Sequence, residues 1–157
     1  MAENDVANGC YTCELVARRD AGVVEAWDCI LRTAHWDLVH SYNTSLPGWL
    51  VLVSRRHMAA VAEMHEAEAL ELGSLLRRAS LGLQAVTGCA KTYVMQFAED
   101  PQHPHVHFHV VPRMPGQPEA YRSTGIFHYL GVPPEERVRE EEMNELAARL
   151  GEALGRI

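Results

Sequence analysis

Between residues 103 and 111 polar and apolar side chains alternate along the chain, with a histidine at every second position from 103 to 109. Side chains of a β-strand repeat with a period of two, so an extended segment places all its histidines on one face. Alternation with Val and Phe is typical of a half-buried strand rather than of a surface tag. The alternating residues are His103, Pro104, His105, Val106, His107, Phe108 and His109.

Two other segments carry apolar residues at three- and four-residue spacing, which predicts helices with one buried face. The first runs from about 61 to 86 and ends at Thr87-Gly88, because glycine favours a helix C-terminus. The second follows Pro133-Pro134. Their apolar positions are Leu72, Leu75, Leu76, Ala79, Leu83 and Val86 in the first helix, and Met143, Leu146, Ala147, Leu150 and Leu154 in the second.

Short apolar runs bounded by turn residues predict the strands. The run 50–53 is a buried strand. The run 92–97, a turn at 98–101 and the histidine segment 103–111 together predict a β-hairpin. Nearer the N-terminus, the predicted elements are a turn at 10–13 followed by a meander of three short strands at 15–17, 23–26 and 28–32.

These elements predict one domain over residues 1–157 of the α+β class. It would contain an antiparallel sheet of about five strands, one long packed helix and a C-terminal helix. Residues 114–133 form a loop, and loops of that length in compact domains are usually functional or interfacial.

Composition and charge narrow the possible functions. A net charge of −7 argues against sequence-independent binding of nucleic-acid phosphates, which needs a basic surface. No apolar run approaches the roughly 20 residues that cross a bilayer, so no membrane partner is expected. The acidic segment 1–5 has no secretory-signal character, which predicts a cytoplasmic location. Reduced cysteines are expected there, in metal or core roles: Cys10, Cys13, Cys29 and Cys89.

Histidines at positions i and i+2 of a strand suit two chemistries. They can bind a metal ion such as zinc, or one imidazole nitrogen can attack an electrophile such as phosphorus while its neighbours hold the charged oxygens. Catalytic metal sites commonly include a carboxylate, and this face has the amides Gln96 and Gln102 nearby instead. The pattern therefore favours phosphorus chemistry.

The segment 105–113, His-Val-His-Phe-His-Val-Val-Pro-Arg, closely resembles the signature of the histidine-triad (HIT) family. The resemblance covers roughly residues 10–113 and implies a HIT-like fold. It also implies a nucleotide hydrolase or nucleotidyl transferase that acts at the α-phosphate of nucleoside phosphoramidates or dinucleoside polyphosphates. Members use a nucleotidyl-histidine intermediate, need no organic cofactor and form homodimers, in which residues 114–157 would supply contacts.

The same resemblance assigns roles to individual residues. His107 would be the nucleophile, His109 would contact phosphate, and His105 would orient the strand. Gln96 matches a position near the phosphate oxygens. Gln102 takes the place where many members have a Ser or Thr beside the leaving group.

Some bacterial members carry a structural zinc site, and this chain resembles them in its ligand set: Cys10, Cys13, His57 and His105. Two thiolates and two imidazoles satisfy tetrahedral zinc without an open position. The alternative is that the two cysteines are ordinary reduced thiols near the N-terminus.

Two positions depart from the family pattern. Trp49 stands where a histidine usually extends the phosphate network, and Ser41 where an Asp or Asn commonly binds the ribose hydroxyls. If the loop shifts, Asn43 would bind the ribose hydroxyls in place of that Asp or Asn. Trp49 is expected in the core. His103 would contact a distal phosphate or be solvated.

Two rival functions stay open. A metal-dependent hydrolase would use His105, His107 and His109 as ligands. A non-catalytic nucleotide-binding protein would bind nucleoside monophosphate without forming an intermediate.

Overall fold

A computed structural model describes residues 9–157 and shows a five-stranded antiparallel sheet, in the order β1-β2-β3-β5-β4. This confirms the predicted α+β class. Within the described residues, no helix is both long enough and apolar enough to span a membrane. The strands are β1 (Leu31–Arg32), β2 (Trp36–His40), β3 (Leu50–Ser54), β4 (Lys91–Met95) and β5 (His107–Arg113), and the helices are α1 (Tyr11–Asp20), α2 (Glu66–Thr87) and α3 (Glu140–Leu154).

The predicted N-terminal meander is wrong. Residues 15–17 lie in helix α1, residues 23–26 form no strand, and of 28–32 only Leu31–Arg32 pairs in the sheet. The buried positions of α1 are Thr12, Val16 and Arg19, so its inner face carries one hydrophobic side chain. Helical periodicity of apolar residues was therefore not visible in the sequence.

The predicted hairpin has the correct pairing but wrong limits. β4 and β5 pair antiparallel, with Tyr93 opposite Val111 and Met95 opposite His109. β5 begins only at His107. The Val106 carbonyl still accepts from the Ser54 amide at the end of β3, but the Val106 amide donates to the carbonyl of Met58, beyond that strand. His103 and His105 therefore lie before the strand and do not share the regular face predicted for them.

Helices α2 and α3 pack on one face of the sheet around a common core, whereas Val16 of α1 packs on the opposite face with Val39 and Val53. α2 begins later than predicted, after a 3₁₀ turn at Val61–Glu63, and ends as predicted at Gly88, whose φ of 70° suits glycine. α3 lies so close to α2 that a Cβ atom added at Gly82 of α2 would be 3.4 Å from the side chains of Leu150 and Leu154. The apolar face of α3 is thus covered within the chain.

The start of α2 is fixed by a buried carboxylate. Glu68 is 4% exposed, accepts hydrogen bonds from Arg56 Nε and Nη2 at 2.9 Å, and accepts one from the His65 amide at 2.8 Å. The Arg56 hydrogen bonds are the main cause that lowers the pKa of Glu68 to about 2. The carboxylate therefore stabilises the fold in its ionised form.

We expect Glu68→Gln to destabilise the protein at pH 7 by about 1–2 kcal/mol, because the amide loses charge-assisted hydrogen bonds. The melting temperature should fall by roughly 3–6 °C. Since the folded pKa lies below the ordinary value of 4.5, the contribution is present above pH 4.5 and is lost as pH falls toward 2. Calorimetry at pH 7 and pH 3 tests this, with the exposed Glu66→Gln as control. An equal loss in both variants, or one independent of pH, contradicts it.

Candidate active site and metal centre

A cavity of about 500 Å³ opens beside the histidines. Its walls come from α1, the end of β2 with the following loop, β3, and the turn after β4. Of the four clustered histidines, His103, His107 and His109 line it, whereas His105 does not. Ser41 and Asn43 also line it.

The tautomer of His107 follows from its backbone partner. Its Nδ1 lies 2.6 Å from the carbonyl oxygen of His105. A carbonyl only accepts, so Nδ1 carries the proton, and in the neutral ring the lone pair is on Nε2. Nε2 makes no hydrogen bond to the described residues and the side chain lines the cavity. A neutral His107 therefore presents an available nucleophilic nitrogen.

His109 is more deeply buried and has a tryptophan as its partner. Trp49 Nε1 lies 3.0 Å from His109 Nδ1, and the two rings meet edge to face at 5.7 Å. Burial, and to a lesser extent the neighbouring His107, lowers the pKa of His109 to about 3. His109 is thus neutral at physiological pH. The His107 and His109 rings lie 5.0 Å apart.

His105 faces away from the cavity and toward the N-terminus of α1. Its Nε2 lies 2.7 Å from the Ser54 carbonyl, so the proton is on Nε2 and the lone pair is on Nδ1. That Nδ1 lies 3.6 Å from Cys10 Sγ, 3.5 Å from Cys13 Sγ and 3.3 Å from His57 Nδ1. A carbonyl partner on the second nitrogen is the usual arrangement of a metal-binding histidine.

The four ligand atoms fit zinc. The potential ligands of Cys10, Cys13, His57 and His105 lie within 4.8 Å of one another. With bonds of about 2.05 Å to nitrogen and about 2.3 Å to sulfur, tetrahedral edges are about 3.3 Å between nitrogens and about 3.6 Å between nitrogen and sulfur. The observed separations of 3.3 Å for the two imidazoles and 3.2–3.6 Å for the imidazole–thiol pairs agree with this.

The thiols sit at the first turn of α1, where the Cys13 amide donates to the Cys10 carbonyl. Burial, and to a lesser extent the neighbouring Cys10, raises the pKa of the Cys13 thiol to about 12. A cation reverses that preference because it favours the thiolates. The chemistry of the donor set therefore also suits a metal ion.

His103 bridges two walls of the cavity. Its Nδ1 lies 2.8 Å from the hydroxyl of Thr12, which lies between Cys10 and Cys13 in the sequence. Its Nε2 lies 3.0 Å from the Tyr42 hydroxyl. Burial is the main cause that lowers its pKa, which favours the neutral ring. Both ring nitrogens are engaged within the protein, and the predicted contact with a distal phosphate would require displacing one of these hydroxyls.

Of the other predicted substrate contacts, Asn43 lines the cavity, whereas Gln96 and Gln102 do not. The Ser41 hydroxyl donates to Asn43 Oδ1 at 3.0 Å on the cavity wall. Gln96 is half-buried with its Nε2 unpaired among the described residues, and it is not a lining residue. Gln102 is exposed and also does not line the cavity; its backbone carbonyl accepts from the Tyr11 amide.

Sequence reasoning missed the wall that α1 supplies. Arg19 is buried there, with Nη2 at 2.7 Å from Asp28 Oδ1 and Nη1 at 3.6 Å from Asp37 Oδ2. Burial raises the pKa of Asp37, and the arginines oppose that shift. Arg19 and Asp28 line the cavity together with Trp27. No motif marks them, because a helix was not predicted there.

Several solved structures that share this fold are histidine-triad proteins. A Hit-like protein involved in cell-cycle regulation from Bartonella henselae is 15% identical, with a TM-score of 0.69 over 93% of this chain and 96% of that chain. A zinc-bound histidine triad family protein from Mycobacterium smegmatis is 17% identical, with a TM-score of 0.66 and the same shares. A histidine triad protein from Sinorhizobium meliloti is 24% identical, with a TM-score of 0.64 over 79% and 87%.

No protein-family model and no curated protein matches the chain. The structural likeness confirms that the chain has the histidine-triad fold, as the motif at 105–113 predicts. The cluster of Cys10, Cys13, His57 and His105 adds a zinc-type donor set to that fold.

Proposed function

We propose that the protein is a nucleotide hydrolase or nucleotidyl transferase of the histidine-triad type. Its substrates are nucleoside phosphoramidates or dinucleoside polyphosphates, and the reaction takes place at the α-phosphorus. The observation that carries the proposal is His107, whose Nδ1–H is held by a carbonyl so that Nε2 is free toward the cavity.

The reaction has two displacements. His107 Nε2 donates its lone pair to the α-phosphorus, a nitrogen–phosphorus bond forms, and the bond from phosphorus to the leaving oxygen or nitrogen breaks. Water or another acceptor then attacks the same phosphorus, the nitrogen–phosphorus bond breaks, and the lone pair returns to Nε2. His109, neutral and beside His107, stabilises the developing charge on the phosphate oxygens.

The geometry favours this reaction over a metal-dependent hydrolase built on the triad. Among residues 9–157, the only candidate metal cluster contains His105 and neither His107 nor His109. The nitrogen that His105 offers points to the cysteines, and Nδ1 of His107 is occupied by a carbonyl. A non-catalytic nucleotide-binding protein is the remaining alternative.

We also propose that the cluster of Cys10, Cys13, His57 and His105 holds one structural zinc ion and that the protein is a cytoplasmic homodimer. The donor geometry supports the zinc. The edge position of β4, with Val94 45% exposed and Phe97 59% exposed, supports a dimer interface. Light scattering during gel filtration measures the oligomeric state, and a monomer at micromolar concentration contradicts that part.

Intact-protein mass spectrometry after a rapid acid-free quench tests the activity. We expect a covalent nucleotidyl adduct on the native chain with adenosine 5′-phosphoramidate or a diadenosine polyphosphate, because the intermediate links His107 to the α-phosphorus. The substrate that labels the chain faster identifies the substrate class. Nucleotide binding without any adduct or turnover would show a binding protein instead.

A further inference from the structure

Trp49 lies in the loop between β2 and β3; its indole is fully buried against Val111 and Ile126 and points its only polar atom at His109. Trp49 is 0% exposed, and its Nε1 lies 3.0 Å from His109 Nδ1. Its backbone is fixed on both sides: the carbonyl accepts from the Ser41 amide, and the amide donates to the Leu46 carbonyl. Phe127 packs on the ring at a centroid distance of 5.9 Å. Trp49 therefore cannot readily turn its N–H elsewhere.

An indole nitrogen donates a hydrogen bond and cannot accept one. The 3.0 Å contact consequently requires a lone pair on His109 Nδ1, and in the neutral ring the proton must be on Nε2. His109 Nε2 makes no hydrogen bond to the described residues, and the side chain lines the cavity. The ring therefore offers the cavity an N–H donor and no acceptor.

We infer that Trp49 is a positioning residue that locks His109 in the Nε2–H tautomer, so that His109 acts as a fixed hydrogen-bond donor to a nucleotide phosphate oxygen. His107 is held by a carbonyl in the opposite tautomer, with its lone pair toward the same cavity. Adjacent imidazoles 5.0 Å apart thus have different roles, one as nucleophile and the other as donor. The role in catalysis rests on the proposed function, whereas the tautomer and anion binding do not.

The first test needs no variant. Two-bond ¹H–¹⁵N correlation spectra of the native protein distinguish the two neutral tautomers of an assigned histidine. We expect His109 in the Nε2–H form across the neutral pH range. A His109 signal in the Nδ1–H form, or a mixture of both, overturns the inference.

The second test is Trp49→Phe, which removes the N–H and keeps an aromatic ring. Trp36→Phe is the matched control, because Trp36 is 1% exposed and its Nε1 donates to the Glu68 carbonyl at 3.0 Å, outside the cavity lining. Both variants lose one buried indole hydrogen bond. Their thermal stability should therefore fall by similar amounts.

We expect Trp49→Phe to shift the His109 nitrogen signals and to weaken adenosine monophosphate binding by about three- to tenfold, the size of one hydrogen bond. Trp36→Phe should leave the His109 nitrogen signals unchanged within experimental error and should change adenosine monophosphate affinity by less than about twofold. Equal effects of the two variants, or shifted signals with unchanged binding, overturn the inference. Calorimetric binding does not depend on turnover, so a missing His107 adduct would count against the proposed function alone.

Discussion

His107→Gly should abolish the nucleotidyl adduct and reduce turnover by about 10⁴-fold or more, because no other described residue presents a free imidazole lone pair beside it. His109 cannot replace it, since its Nδ1 accepts from Trp49. Stability should change little, because His107 is only half-buried. Rapid-quench mass spectrometry and steady-state kinetics measure the two effects.

The control for His107→Gly is binding. Adenosine monophosphate affinity should stay within about tenfold of native, because His109 and the Ser41–Asn43 wall are intact. His128→Gly, an exposed histidine bonded to the Gly125 carbonyl, should leave the adduct unchanged. Persistence of the adduct in His107→Gly would assign the nucleophile to another residue.

The sequence predicted the fold where one physical pattern dominated. The α2 and α3 helices bury regular apolar stripes, and β3 is a run of apolar residues bounded by turns. The β2 strand was not predicted, because Asp37 and His40 interrupt its apolar pattern. Both are buried, Asp37 beside Arg19 and Arg32, and His40 between the Ser41 carbonyl and the Gly48 amide. The partners of both side chains lie outside β2, so the apolar pattern of the strand itself gives no sign that they are buried.

The candidate site shows the same division. The motif located His107 and its neighbours, because the contact that orients His107 is local. The carbonyl that holds its Nδ1–H belongs to His105, two residues earlier. Whether Gln102 reaches the cavity depended on how the chain enters β5, which the alternating pattern did not reveal. Trp49 was expected to be core, and it is buried; its hydrogen bond to His109 depends on the pairing of β3 with β5.

One residue, His105, connects the candidate zinc site to the proposed nucleophile, His107. His105 directs Nδ1 to the cysteines, and its carbonyl oxygen holds Nδ1–H of His107 at 2.6 Å. A ligand fixed by a metal ion keeps its own backbone in place. A zinc ion bound there would therefore stabilise the N-terminal helix and would also orient the proposed nucleophile.

The double variant Cys10→Ser/Cys13→Ser should contain no zinc and should unfold at a melting temperature lower by roughly 10 °C or more. Structural zinc contributes its binding energy to folding, and a loss of about 3–5 kcal/mol suffices for that shift. Elemental analysis should find one zinc ion per chain in the native protein and in Cys29→Ser, whose thiol lies outside the cluster. Calorimetry gives the melting temperatures.

The kinetics of the double variant separate a structural metal from a catalytic one. With a structural ion, the folded variant should still form the His107 adduct, about 10- to 100-fold more slowly, because only the orientation of the nucleophile is loosened. Brief chelation that leaves the tightly held ion in place should not change turnover. If turnover instead disappears with the chelator and returns in proportion to added zinc, while the fold persists, the ion takes part in the chemistry and the metal-dependent alternative is correct.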